Sequence, residues 1–144
     1  EIYKKYSLFV VGKGLGCHVA KEGALKIKEI SYIHAEGYSC SSLKHGPFGL
    51  LEKDYPVILI IINDETFNKT LNAYNEIKSR HANILVITDK YNNLFEKQIV
   101  IPIDEVFSSL LAIIPLQLIA YNISILRGLN PDFPRNLAKV VTVE

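Results

Sequence analysis

Four short runs of the chain are apolar at nearly every position: SLFVVG at 7 to 12, PVILIII at 56 to 62, NILVITD at 83 to 89 and QIVIPI at 98 to 103. Continuous β-branched runs of this kind mark strands buried on both faces, as in a parallel sheet, whereas a half-exposed strand alternates. Between them apolar residues recur at helical spacing, which predicts helices over 16 to 33, 40 to 52, 65 to 80 and 105 to 127. The last of these, VFSSLLAIIPLQLIAYNISIL, is apolar enough to be central or to lie at an interface, and Pro115 in its first third predicts a kink. Strand and helix in alternation define an α/β fold, a three-layer sandwich with right-handed crossovers. In such sheets function gathers at the carboxyl ends of the strands.

One helix departs from a plain amphipathic pattern. At 100° per residue, Val19, Ala20, Gly23, Ile27, Ile30 and Ile33 share the arc that packs on a core, and Lys21 and Lys28 point to water. Lys26 falls between the directions of Val19 and Ile33, flanked by Glu22 four residues before and Glu29 three residues after. A lysine at the edge of a packing face needs partners. The two carboxylates either form an ordinary surface pair or build a coupled cluster in which protons move readily between members.

Composition narrows the function. A length of 144 residues suits one domain, and 22% charged residues with a net charge of +1 provide no basic field for nucleic acid or anionic lipid. The longest unbroken apolar run, Pro56 to Ile62, has seven residues, against roughly 20 for a bilayer span. A soluble, cytoplasmic protein is therefore expected, with no membrane partner. Cys17 and Cys40 form no metal-ligand spacing and read as buried free thiols, so neither metal nor cofactor is expected. The chain starts at Glu1 and contains no methionine, which reads as a piece cut from a longer polypeptide.

The turn after the first run, GKGLG, invites a dinucleotide reading. Its spacing is wrong: the third glycine of that fingerprint falls at position 17, which is Cys17. The acidic residue at the end of a second strand is also missing if 30 to 40 belongs to the helix and the segment after it. The glycines read instead as a close turn that brings backbone near a small ligand or a helix.

Three segments taken together, EGALKIKEISYIHAEGYSCSSLKHGP, LQLIAY and PRNLAKVVTVE, resemble the carboxy-terminal half of the isomerase module in the glucosamine-6-phosphate synthase (glutamine:fructose-6-phosphate amidotransferase) family. The resemblance runs from the first strand to Glu144. It implies a SIS (sugar isomerase) domain over 1 to 128, a flavodoxin-like three-layer α/β/α sandwich with a mostly parallel five-stranded sheet, and a tail over 129 to 144 that folds over the active site. The fifth strand is not visible as an apolar run.

The resemblance also implies roles. Glu29 matches the base that carries a proton between C1 and C2 of the open-chain sugar, Lys26 a residue assisting it, and Glu22 a further carboxylate of the site. His45 matches the histidine that opens the sugar ring and reaches the site of a neighbouring subunit; its alternative is a buried histidine bonded to a backbone carbonyl. Lys139 matches the lysine that forms a Schiff base with the keto carbon, and Arg135 and Asn136 belong to the tail. The chemistry asks for these types independently. Proton transfer between adjacent carbons needs one carboxylate in a dry pocket, and a Schiff-base lysine needs burial or a nearby cation such as Arg135, one helical turn earlier, to be partly neutral.

Implied partners are fructose 6-phosphate and glucosamine 6-phosphate, a preceding SIS domain carrying the Ser/Thr-rich phosphate loop, a glutaminase domain, and a second subunit in a homodimer built on the 105 to 127 helix. Where the family has Gly-Glu before the LKHGP motif, this chain has Ser41 and Ser42, which removes one charge near His45. The rival readings are a non-catalytic SIS module that binds a sugar phosphate or pairs subunits, and an isomerase or deaminase for another amino-sugar phosphate.

Overall fold

The computed structural model describes residues 1 to 137. Five strands, β1 (Ser7–Gly12), β2 (His34–Ser39), β3 (Pro56–Ile61), β4 (Asn83–Thr88) and β5 (Gln98–Val100), form one sheet in the order β2-β1-β3-β4-β5. Every pairing is parallel, with Val10 opposite both Gly37 of β2 and Ile58 of β3. The helices are α1 (Leu15–Ser31), α2 (Phe67–Lys78), α3 (Ser108–Leu111) and α4 (Ile113–Leu126).

Alternate residues of the central strands feed two cores. Leu8, Val10, Ile58, Ile60 and Ile87 face α1, α3 and α4, while Phe9, Val11, Leu59, Ile61 and Val86 face α2 and the segment around Leu43. Both faces are covered, hence the unbroken apolar runs of β1 and β3. The expected three-layer α/β/α sandwich is what the chain forms. The order reverses between β1 and β3, so the crevice at their carboxyl ends is the switch point of a flavodoxin-like sheet.

Several expectations need correction. The fifth strand is β2, HAEGYS, an edge strand in which small Ala35 and Gly37 alternate with His34, Glu36 and Tyr38. A second strand beside β1 therefore exists, with Glu36 at its middle, and only the glycine spacing argues against the dinucleotide reading. The helix expected over 40 to 52 is two single 3-10 turns, Ser42–His45 and Pro47–Leu50. Gly46 between them has φ 135°, and Pro47 offers no N–H to continue a helix.

The helix expected over 105 to 127 is broken at Ala112. Pro115 would leave the Leu111 carbonyl unpaired inside a continuous helix; in the first turn of a new one its missing N–H costs nothing. The stretch Ser108–Leu126 is by length and composition long enough to cross a membrane, yet Ala112, Leu116, Ala120 and Ile123 are buried in the core with α1. The expected strand over 98 to 103 keeps only its first three residues.

The glycine turn joins backbone to backbone. A Cβ on Gly12 would stand 2.3 Å from the Gly16 carbonyl oxygen, and the Gly12 carbonyl accepts the Cys40 N–H at 2.9 Å. Both thiols are free, Cys40 buried and Cys17 only partly so. Burial lifts the Cys40 thiol to about 11.

Candidate active site

Helix α1 carries the cluster. Lys26 Nζ donates to Glu29 Oε2 at 2.7 Å and lies 3.5 Å from Glu22 Oε1, so one ammonium bridges two carboxylates on one flank. The hydrogen bond to Glu29 is the larger reason that the Lys26 amine is held protonated above its ordinary range, with Glu22 adding to it. Lys26 is therefore held as a cation between the two carboxylates. The three side chains retain 34%, 29% and 50% of their exposure for Lys26, Glu29 and Glu22. Among the described residues nothing closes a dry pocket around Glu29.

The tail returns to the same place. Arg135 donates its backbone N–H to the Tyr32 hydroxyl at 2.7 Å, and its guanidinium carbon stacks 4.2 Å from the centre of the Tyr32 ring. Glu29, Tyr32, Arg135 and Asn136 line one open cleft of about 290 Å³. The segment around Arg135 is a turn and not a helix, so the spacing of one helical turn between Arg135 and Lys139 has no support in the described residues. Lys139 lies outside them.

His45 is elsewhere. Helix α1 runs back from the carboxyl end of β1 to the amino end of β2, so Glu29 in its last turn lies at the amino edge of the sheet. His45 follows β2 beyond the carboxyl edge, where Lys13 bonds Ser41 at 3.1 Å, roughly 20 Å away along a six-residue strand. The imidazole is exposed, not a buried histidine bonded to a carbonyl. One chain does not bring His45 to Glu29. Ser42, at the place of the family's acidic residue, bonds Ser39 at 2.7 Å, so a hydroxyl pair stands where a charge would.

Tyr32 is the contact that sequence reading missed. Its signal was present, since it ends the motif EGALKIKEISY, but nothing in periodicity ties residue 32 to residue 135.

A doubly wound parallel domain with an acid-base cluster on its first helix defines the class. The SIS domain model matches residues 1–127, and the chain belongs to that family. It is 51% identical over 140 residues to a probable glutamine--fructose-6-phosphate aminotransferase (isomerizing) of Acanthamoeba polyphaga mimivirus, covering 96% of this chain and 23% of that protein. It is 46% identical over 143 residues to the glutamine--fructose-6-phosphate aminotransferase (isomerizing) of Thermococcus kodakarensis, covering 97% and 24%. The solved C-terminal domain of glucosamine-fructose-6-phosphate aminotransferase from Francisella tularensis superposes with a TM-score of 0.77 at 36% identity, covering 90% of this chain and 38% of that one. The chain spans about a quarter of the length of the curated relatives it matches.

Proposed function

We propose that this chain is the carboxy-terminal SIS domain of an isomerizing glutamine:fructose-6-phosphate aminotransferase, and that it supplies the acid-base residues of the isomerase site. The observation that carries the reading is the Glu22–Lys26–Glu29 cluster with tail residues 135 to 137 drawn over its last turn. In this reading Lys139 condenses with the C2 carbonyl of fructose 6-phosphate and water leaves; ammonia released from glutamine then adds to that Schiff base and displaces the lysine amine, leaving the C2 imine. Glu29 takes a proton from C1, the electron pair forms the C1=C2 double bond of the enolamine as the imine nitrogen gains a proton, and return of a proton to C2 with loss of the O1 hydroxyl proton gives glucosamine 6-phosphate with an aldehyde at C1. Lys26 stays charged beside Glu29, bonded to its carboxylate at 2.7 Å. Lys139 holds the keto carbon as a Schiff base, with Arg135 and Asn136 in the tail that closes the site.

The phosphate is held by a preceding SIS domain, and His45 serves a neighbouring subunit in a homodimer. Two features support this arrangement. His45 is exposed at the edge opposite Glu29, and Leu110, Ile114, Leu118, Tyr121 and Ile125 form a helical stripe on the outer face of α3 and α4, each 50–58% exposed. A stripe of this size fits another copy of the SIS fold. Free thiols accord with a cytoplasmic setting. The solvent exposure of Glu29 favours one rival, a SIS module that binds without turnover.

The test is Glu29→Gln in the complete parent protein. The amide keeps the shape and loses the basicity, so sugar-phosphate binding persists while exchange of the C1 proton with solvent deuterium falls by about 10²–10⁴-fold. Normal exchange in that variant removes Glu29 from the base role.

A further inference from the structure

At the carboxyl edge of the sheet the turn after β1 and the segment after β2 are tied together. The Gly12 carbonyl accepts the Cys40 N–H at 2.9 Å, which sets the residue after each side by side, and Lys13 Nζ donates to Ser41 Oγ at 3.1 Å. Helix α2 closes a third side with Lys69, Asn72 and Glu76, leaving an open cavity of about 240 Å³. Lys44 on the same wall donates to Glu76 Oε1 at 2.6 Å and Glu76 Oε2 is buried, so the one carboxylate of the wall, among the described residues, is already engaged. Lys13 and Lys69 have no carboxylate partner among the described residues, unlike Lys26, Lys44 and Lys78. Lys69 also stands in the first turn of α2, where the positive end of the helix dipole disfavours a cation and no acidic residue balances it. The Ser41 hydroxyl hydrogen and the Asn72 amide make no bond among the described residues, so the wall carries a net charge of +2 and a surplus of donors. A second cleft at this edge has the opposite sign: Asp64, Glu65, Asp89, Asp104 and Glu105 line it, with Lys90 as its single cation among the described residues. An anion is drawn to the first and repelled by the second.

We propose that the cavity between the β1 turn, the segment after β2 and α2 binds a phosphate dianion, free or as the monoester of a small polyol, held by Lys13, Lys69 and the Ser41 hydroxyl. The phosphate oxygens take charge-assisted bonds from both ammoniums and a further bond from the hydroxyl, which leaves the Asn72 amide for hydroxyls of an ester. At about 240 Å³ the cavity falls below the roughly 300–1,000 Å³ of sites for drug-sized ligands, which favours a compact ester over a nucleotide. It lies at the opposite edge of the sheet from Glu29 and does not rest on the function proposed above. A bound dianion would tie the segment that leads to His45 to α2 and to the turn after β1.

The experiment is lysine footprinting of the complete parent protein: brief acetylation with an amine-reactive ester, the extent at each lysine read by peptide mass. Inorganic phosphate, glycerol 3-phosphate and chloride are compared at matched ionic strength, each up to about 10 mM. Phosphate or its ester should slow acetylation of Lys13 and Lys69 at least about fivefold, while Lys21, exposed on α1, reacts as before. The compound that protects at the lower concentration names the source of the phosphate. Lys69→Gln alters an exposed side chain and keeps the fold; it should raise the concentration needed to protect Lys13 at least about tenfold, and Lys13→Gln should do the same for Lys69. No protection by either phosphate, equal protection by chloride, or protection untouched by both substitutions would overturn the proposal. So would Lys13 and Lys69 that resist the reagent with no anion present, because the cavity would then be closed in the assembled protein. Normal C1 proton exchange in Glu29→Gln bears on the base and leaves this result unchanged.

Discussion

Gly37 in β2 faces the backbone of α1. A Cβ added there would stand 2.4 Å from Lys21 Cα, 2.7 Å from Lys21 N and 2.9 Å from the Ala20 carbonyl oxygen. No side chain can turn aside to make room. For Gly37→Ala, carbon atoms reach normal contact only if helix and strand part by about 1 Å. Overpacking of this kind costs about 1–3 kcal/mol, here at the upper end because backbone must move, and alanine returns about 0.5–1 kcal/mol of chain entropy. The net loss is about 2 kcal/mol, a fall in the thermal midpoint of roughly 6–10 °C for a domain of this size. Gly49→Ala is the control, since its Cβ would meet nothing within 4 Å; it should be neutral or gain a few tenths of a kcal/mol. Thermal unfolding followed by circular dichroism reads both. A midpoint for Gly37→Ala within about 2 °C of the parent would refute the claim that β2 and α1 meet backbone to backbone. The consequence reaches the site, because Glu22 follows Lys21 directly. On the function proposed above, a displacement of about 1 Å in α1 is enough to cost up to 10²-fold in turnover of the complete parent protein.

Cys40, lifted by burial from about 9 to about 11, should react with iodoacetamide at pH 8 about 100-fold more slowly than an ordinary thiol. Its raised value has a stability sign: the unfolded thiol ionises first, so the contribution is whole below pH 9 and about 2–3 kcal/mol is lost as pH climbs to 11; a denaturation midpoint that stays flat across that window contradicts it. Leu118→Glu on the outer stripe of α4 should split the assembled parent protein in sedimentation without lowering its helix content, and an unchanged sedimentation coefficient would show that this face carries no interface.

What the sequence made legible follows from which signals are local. The apolar runs of β1, β3 and β4 and the face of α1 rest on burial on both sides or on one side, and burial writes itself into every residue of an element. β2 escaped because an edge strand packed tightly on a helix needs small residues at 35 and 37 where an apolar run would otherwise stand. The break at Ala112 was foreshadowed by Pro115, though as a kink within one helix. The spacing of Glu22, Lys26 and Glu29 did foretell their contacts, since residues three and four apart on a helix must be neighbours. The tie from Tyr32 to Arg135 spans 103 residues and leaves no periodic trace.

The geometry bears on the site proposed above, because the described residues of one chain do not bring its two ends together. Glu29 and His45 follow opposite ends of strands that all run the same way, so no loop movement short of unravelling β2 brings them together. In the homodimer proposed above, a partner's His45 segment lies over the first chain's α1, and a twofold axis repeats the arrangement on the other side. Covering α1 would also remove the water that now reaches Glu29 and Lys26. Desolvation penalises a lone charge, but this ammonium already bonds one carboxylate at 2.7 Å with a second at 3.5 Å, and their attraction strengthens as the local dielectric falls. Two carboxylates against one ammonium leave a net charge of −1, so the attraction offsets the drying of one pair only, and in the dimer proposed above the second carboxylate is the charge whose desolvation depends on the neighbour.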